Sequence, residues 1–293
     1  MRVSPQCAAI ACAALIAMIA LVPSPGVAGP KAEFLGASTT DLDNPHDLKL
    51  SPDGRFLYVA DLGNDRVAVL DSETLETVGS FTTGGPAGTH DIDIAEDGRA
   101  YVAETRLGLV SVWDLDGANA TLVDRISGGF DGPEGVLVHP NGRIYVAGAW
   151  SNNLVAIENG RIVAELVGLS APHDVELAPY GNIWLSDSGN NRMLLVSPDL
   201  AVKQEWSGPP FHFNGVRYQD VLEDGTVIAA DKNSHRVLVI SAIGRVDLVL
   251  GTGEPGRGPG VFTTPEGVET DGETLWISDS GNNRVVKYRL VFD

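Results

Sequence analysis

Ala171 to Asp199 reads APHDVELAPYGNIWLSDSGNNRMLLVSPD, and this stretch decides the fold. A short alternating segment, Asp174 to Leu177, is followed by a turn at Gly181 and a β-branched and aromatic run from Ile183 to Ser186. An Asp/Gly/Asn turn, Asp187 to Asn191, leads into a third apolar run, Met193 to Val196. Apolar runs of about four to six residues between Gly, Asn and Asp suit antiparallel hairpins, because those turn residues tolerate positive φ. No helix period is present, so the stretch reads as strands.

The same pattern begins again at Pro45, Thr89, Pro133, Phe213 and Pro265, which makes six copies. Their marker glycines, Gly54, Gly98, Gly142, Gly181, Gly225 and Gly272, are spaced 44, 44, 39, 44 and 47 residues apart. A period of that size with three or four strands per unit predicts a β-propeller. Five copies are followed by a fourth apolar run: Thr77 to Phe81, Thr121 to Ile126, Arg161 to Leu166, Ala201 to Trp206 and Arg245 to Leu250. The sixth has none, whereas an unmatched run, Lys31 to Gly36, precedes the first copy. Pairing that N-terminal run with the last copy would leave no open sheet edge. The expected fold is therefore all-β, a single six-bladed propeller over residues 31–293 whose first strand closes the last blade.

Charge narrows the partners. The chain has 20 Lys+Arg against 39 Asp+Glu, a net charge of −19. No basic stripe is available to neutralise phosphates, which excludes nucleic acid, and anionic membrane surfaces are disfavoured for the same reason. Residues 1–28 read as a secretory signal: Arg2 precedes an Ala-rich apolar run from Cys7 to Val22, and cleavage is expected after Ala28. The run is too short and too rich in Ala for a stable membrane anchor, so the product is expected to be exported to a periplasm or the extracellular space. Both cysteines, Cys7 and Cys12, lie in that leader, leaving the mature chain without thiol, disulfide or Cys ligand.

The first strand of a propeller blade lines the channel, so the residue just before it stands at the channel mouth. In chain order that position is read as His46, His90, Glu134, His173, Asn214 and Glu266. All six are polar and converge from separate blades on one axis. Alternate blades would group His90, His173 and Glu266 in one trio and His46, Glu134 and Asn214 in another. Two imidazoles and a carboxylate suit a divalent metal, Zn or Fe, while the second trio suits a harder ion such as Ca, another ligand, or channel water. Asp47, Asp91 and Asp174 follow the histidines and would point to the opposite strand face, toward hydrogen bonds between blades. The turns bearing Arg66, Arg192, Arg236 and Arg284 read as structural, with an Arg tying neighbouring blades. No Gly-x-Ser-x-Gly elbow or phosphate-cradling glycine loop occurs.

The segments VADLGNDRVAVLD, LSDSGNNRMLLV and ISDSGNNRVVKY resemble the NHL repeat, in which two apolar strands flank an Asp/Gly/Asn/Arg turn. GTGEPGRGPGVFTTPEGVET, from Gly251, resembles the loop that leads into a new NHL blade. The resemblance covers nearly the whole mature chain and implies a propeller; scaffolds, binding surfaces and enzymes all use it. Trp113-Asp114 stands without an upstream Gly-His, which makes a WD40 assignment the lesser one.

A narrower resemblance concerns the PHD segments at Pro45 and Pro172. They are similar to the metal-binding segments of peptidyl-α-hydroxyglycine α-amidating lyases, six-bladed propellers in which three His residues from alternate blades hold a catalytic zinc. The resemblance implies His90, His173 and Glu266 as the metal ligands, with a carboxylate replacing one His, and gives the assisting Arg role to Arg106. No Tyr occupies the turn that would hold the base, and Trp150 stands in one such turn instead. Tyr58, Tyr101 and Tyr145 fall in second strands, where they are expected to pack. Two functional readings stay open: an exported module that binds a protein, peptide, sugar or small molecule on its top face, or a metal-dependent lyase or lactonase-like hydrolase at the mouth.

Overall fold

The computed structural model describes residues 29–39 and 41–292; the expected leader, residues 1–28, lies outside the described residues. Six four-stranded antiparallel sheets form a ring, which is the propeller the period predicts. The first blade consists of Pro45–Leu50, Phe56–Asp61, Arg66–Asp71 and Thr77–Phe81, ordered from the axis outward. The inner strands of the other five are Thr89–Ile94, Pro133–Val138, Pro172–Ala178, Val216–Val221 and Pro265–Thr270. Lys31–Ala37 is the outermost strand of the sixth blade, paired antiparallel with Arg284–Val291 from Lys31 opposite Val291 to Ala37 opposite Val286. The ring is closed as the unmatched N-terminal run requires.

Each marker glycine holds the 1–2 turn of its blade with positive φ, from 69° at Gly181 to 92° at Gly272, which a side chain would resist. The apolar faces of the sheets meet in six clusters, one per seam between neighbouring blades. Leu48, Leu57 and Leu70 of the first blade, for example, pack against Trp276 and Val285 of the sixth. Tyr58 and Tyr145 are buried, and their hydroxyls cross a seam to donate to the carbonyls of Gly117 and Pro198 at 2.9 and 2.8 Å.

A second repeated device fixes the top face. In four blades the Asp that ends the second strand is fully buried and divides its carboxylate between two duties. One oxygen pairs with the Arg that opens the third strand: Asp61–Arg66 and Asp231–Arg236 at 2.8 Å, Asp187–Arg192 and Asp279–Arg284 at 2.7 Å. The other accepts an N–H from the loop entering the blade: Asp43, Ser170, Asn214 and Thr263, at 2.6 to 2.7 Å. The Arg thus ties the crossover from the previous blade to its own turn. The second and third blades lack this clamp, having Glu104 and Gly148 where the Asp would be.

The clamp predicts an unequal response to charge removal. Asp279 and Arg284 are 0% and 7% exposed, so Asp279→Ala strands a buried guanidinium and should lower stability by about 3–5 kcal/mol. Glu33→Ala breaks the Arg289–Glu33 pair of the same blade, which is about 60% exposed on both sides, and should cost less than about 1 kcal/mol. Urea midpoints of the two variants check this; equal losses would refute the assignment of the clamp.

Candidate functional site

The inner strands begin at the mouth of the channel, and each blade contributes one side chain there. Register fixes which one. Pro45, Thr89, Pro133, Pro172, Val216 and Pro265 lie opposite the last residue of the second strand in their blades, so the residues that follow them are equivalent. They are His46, His90, Glu134, His173, Arg217 and Glu266. Asn214, expected from the likeness of FNG to PEG, is instead exposed in the entering loop, and Arg217 takes its place at the axis. The pairing of Val216 with Asp231 decides this, and the short motif could not.

Neighbouring blades, not alternate ones, make the contacts, because adjacent positions in a ring are nearer than alternate ones and opposite charges there pair. Glu134 stands between two imidazoles, with His173 Nε2 at 2.5 Å and His90 Nε2 at 3.8 Å. Arg217 Nη1 lies 2.8 Å from His173 Nδ1. The same Nδ1 lies 2.9 Å from the Ala171 carbonyl, so it meets a donor and an acceptor at once, while Nε2 donates to the Glu134 carboxylate. His90 is opposite in hand: Nδ1 lies 2.8 Å from the Gly88 carbonyl and 2.7 Å from Thr105 Oγ1, whose own proton goes to the Pro133 carbonyl. Nδ1 therefore donates, and the Nε2 lone pair of His90 faces the mouth. Across the opening Glu266, fully buried, is ion-paired with Lys232 and lies 3.5 Å from Arg217 Nε and 3.9 Å from His46 Nε2. His46 and His90 stack edge to face with centroids 4.7 Å apart.

Burial and these neighbours set the protonation states. Burial lowers His46 far below the usual imidazole value, helped by His90, Lys232 and His173, and it lowers His90 against the pull of Glu134. Burial opposes the charge of Glu134, but the hydrogen bond from His173 and the surrounding positive groups outweigh it and bring it to about 2. At neutral pH Glu134 is therefore ionised and His46 and His90 are uncharged, while Glu266 is set against Lys232 and Arg217.

Below the mouth the channel is filled. Asp91 and Asp174 accept the backbone N–H groups of Val136 and Gln219 in the next blade at 2.5 and 2.7 Å, the inter-blade role read from the pleat. Gly135 and Gly267 stand where a Cβ would collide with the carbonyls of His173 and His46, which explains Glu-Gly in those two copies. Tyr218 crosses the axis from the fifth blade and donates to the Glu134 carbonyl at 3.0 Å. At the far end Lys49 is enclosed by Glu176, Glu269 and Asp93 at 3.2, 3.8 and 4.0 Å.

The expected metal trio is not assembled as read. His90 and His173 share Glu134, while Glu266 is faced by Lys232 and Arg217, cations that stand where an ion would. Among the described residues no group of three His, Cys, Asp or Glu is arranged to hold a metal. Arg106 pairs with Asp65 of the first blade at 2.9 Å, which holds its guanidinium on the rim. Trp150 is 56% exposed in the third blade's turn, with its indole over Gly132, where a Cβ would overlap the ring. Lys232 and Arg217 were not foreseen. A signal for Lys232 exists: the first residue of the 2–3 turn reaches the next inner strand, as Thr105 does to Pro133 and Ser280 to Pro45, and one copy has Lys there.

Comparison with known proteins agrees on architecture. A family described as Lactonase, 7-bladed beta-propeller, matches residues 26–127, which reach from the closing strand through the second blade; this chain closes with six blades. Human NHL repeat-containing protein 2 is 28% identical over 149 residues, 48% of this chain and 20% of that protein. Human NHL repeat-containing protein 3 is 28% identical over 149 residues, 46% of this chain and 42% of that protein. The chain thus matches less than half the length of either relative. Among solved structures, a catalytically inactive virginiamycin B lyase from Staphylococcus aureus with quinupristin superposes with a TM-score of 0.66 at 15% identity, covering 89% of this chain and 100% of that one. Hydrazine synthase of Kuenenia stuttgartiensis gives 0.61 at 23% identity, covering 85% and 78%. At these identities the likeness is one of fold.

The channel makes a pH prediction. Burial raises Asp91 to about 6, only partly offset by its hydrogen bonds with Asp47 and Val136, so the native state holds this proton more tightly than the unfolded chain. Stability from Asp91 is then present below about pH 4 and lost as pH rises to about 6. Asp91→Asn keeps an acceptor for Val136, gives Asp47 a donor and removes the titration. It should raise stability by about 1–3 kcal/mol at pH 7, and the gain should vanish near pH 4. Denaturant midpoints at both pH values test it; a loss at pH 7 would refute a shared proton.

Proposed function

We propose that this chain, an NHL-type β-propeller, binds a small polar molecule or peptide at the top-face mouth of its channel. One observation carries the reading. Glu134, Glu266, Arg217 and Lys232 stand around one opening with the imidazoles of His46, His90 and His173, and among them His46 Nδ1 is buried without a hydrogen-bond partner among the described residues. An unsatisfied buried polar group costs about 1–3 kcal/mol, so a ligand that bonds to His46 Nδ1 and offers both charges to the groups beside it is favoured there. Trp150 on the rim supports a flat apolar contact, and the equal numbers of carboxylates and cations suit a zwitterion rather than a polyanion.

A second reading is supported by the open Nε2 of His90. A neutral imidazole beside an ionised Glu134, with a guanidinium at hand, can take a proton and stabilise developing negative charge, which is cleavage chemistry of the lyase type. The donor set does not fit a divalent metal held by His90, His173 and Glu266, and no step is routed through one. Export of the mature chain, beginning at Gly29, is proposed on the leader pattern. Among the described residues no helix is long and apolar enough to cross a membrane.

The tripeptide Gly-Phe-Gly with free termini is the first probe. Calorimetry should show it binding, with Arg217→Ala and Glu266→Gln each weakening it at least tenfold; no binding, or binding indifferent to both, would refute the mouth as the site. Incubation with quinupristin and mass spectrometry tests the second reading: a ring-opened product that disappears in His90→Ala supports it, and an unchanged substrate removes it. Near-stoichiometric zinc, iron or calcium in the purified protein, lost in His90→Ala, would put a metal at the mouth and overturn this reading of the donor set. N-terminal sequencing of the secreted product tests export, which a product retaining residues 1–28 would contradict.

A further inference from the structure

The face opposite the mouth carries a departure from the repeat that folding does not explain. In five blades the 1–2 turn is capped by an Asp or Asn just before or within the Gly turn. Asp53, Asp97, Asn141, Asp224 and Asp271 accept the N–H of Arg55, Arg99, Arg143, Thr226 and Glu273 at 2.8 to 3.2 Å. In the fourth blade Tyr180 occupies that position and cannot cap. The turn is rebuilt as Pro179–Gly181, with Asn182 N–H bonded to the Pro179 carbonyl, and Tyr180 is forced to φ 63°, ψ 23°. None of the five capping residues has positive φ. Left-handed backbone is unfavourable for an aromatic residue, and here it serves to stand the ring fully in water, 100% exposed.

What surrounds Tyr180 suggests why. It borders two cavities, of about 580 and 370 Å³, which share Ala178, Pro179 and Glu223; the larger reaches His139 and Pro140 of the third blade, and the smaller lies at the seam of the fourth and fifth. Trp184 and Leu195 line the smaller one, and so does Ala242, whose chain neighbour Ile243 is 83% exposed. Tyr180 and Ile243 are the two most exposed large apolar side chains among the described residues; Tyr180 lines this cavity, and Ile243 is next in the chain to Ala242, which lines it too. Asn182 Oδ1 lines it without a hydrogen-bond partner. Glu223 and Asp224 are exposed on the rim, and neither is ion-paired among the described residues.

We propose that this seam docks a partner protein presenting a basic segment with an apolar side chain. The apolar group enters the smaller cavity between Tyr180 and Ile243, a Lys or Arg meets Glu223 and Asp224 and lies against the Tyr180 ring, and a donor of the segment satisfies Asn182. Charge complementarity selects this occupant. A second copy would bring the same acidic rim and a net charge of −19, and a neutral sugar could bond to the carboxylates but would leave their charge uncompensated.

The probe is the labelled peptide acetyl-Gly-Lys-Leu-Arg-Phe-Lys-Gly-amide, followed by fluorescence anisotropy against the mature protein. Its counterpart with Glu at each basic position is the control. The basic peptide should bind at least tenfold more tightly than the acidic one, with an affinity that falls as salt is raised. Tyr180→Asn should weaken it about tenfold with Tm unchanged or higher, since Asn tolerates left-handed backbone and caps as Asn141 does. Glu223→Gln should weaken it and flatten the salt dependence, while Arg217→Ala at the mouth should leave it unaltered. The proposal is overturned by equal binding of the two peptides, by no binding, or by an effect of Arg217→Ala equal to that of Tyr180→Asn. A fall of Tm in Tyr180→Asn would make the ring structural and overturn it as well. Saturation of the cavity by maltose in calorimetry would reassign it to sugar, and self-association abolished by Tyr180→Asn would reassign it to a second copy.

Discussion

Everything in this molecule depends on the hydrogen bonding of its first strand to its last. Lys31–Ala37 lies along Arg284–Val291, with Phe34 edge-on to Tyr288 at 5.5 Å, and the sixth sheet is complete only through residues some 250 positions apart in the chain. Without that pairing the sixth blade would end on an open edge and the sixth seam would lack a fixed partner. With it, six sheets share one axis, and the start of each inner strand is held at a common level. The convergence of charged side chains at the mouth follows from closure rather than from any local preference.

Along that axis the low dielectric of the interior sorts the ionisable groups into layers. At the mouth, opposite charges are matched: Glu134 is ionised among imidazoles and Arg217, and Glu266 is set against Lys232. In the middle, where cations are fewer, burial raises Asp47, Asp91 and Asp174, and two of these carboxylates are hydrogen-bonded to each other. At the far end one lysine answers several carboxylates, and they outweigh the effect of burial and hold its pKa well above the usual value. The same physics therefore leaves a charged opening above and a proton-sharing plug of carboxylates below.

Departures from the repeat fall at the mouth, at its rim and at one turn of the opposite face. The second and third blades abandon the Asp–Arg clamp, and their turns carry Arg106 and Trp150. The fifth inner strand reads Val-Arg-Tyr where others read Pro-His-Asp, Thr-His-Asp or Pro-Glu-Gly, and it delivers both Arg217 to the mouth and Tyr218 across the axis. The fourth blade gives up a capped turn for an exposed Tyr180. A repeat protein supplies its own comparison set, because five copies state what the sixth would need for stability alone.

Period, strand count and the unmatched run at Lys31 are one-dimensional features, and they were enough to read the six blades, the closing strand and the hairpin turns from the residues. Five of the six mouth positions were legible for the same reason, since PHD, THD and PEG recur in phase. Arg217 was hidden because the fifth copy has no such tripeptide, and only the pairing of Val216 with Asp231 reveals its register. Lys232 was hidden because it lies in another strand's turn. The grouping of Glu134 with His90 and His173, and of Glu266 with Lys232, was likewise beyond a reading of spacing. Sequence determines which residue five of the blades offer to the axis, because their strand motifs recur in phase along the chain. Which of those residues touch is decided in three dimensions, where ring geometry brings neighbouring blades within ion-pair distance and electrostatics chooses among them.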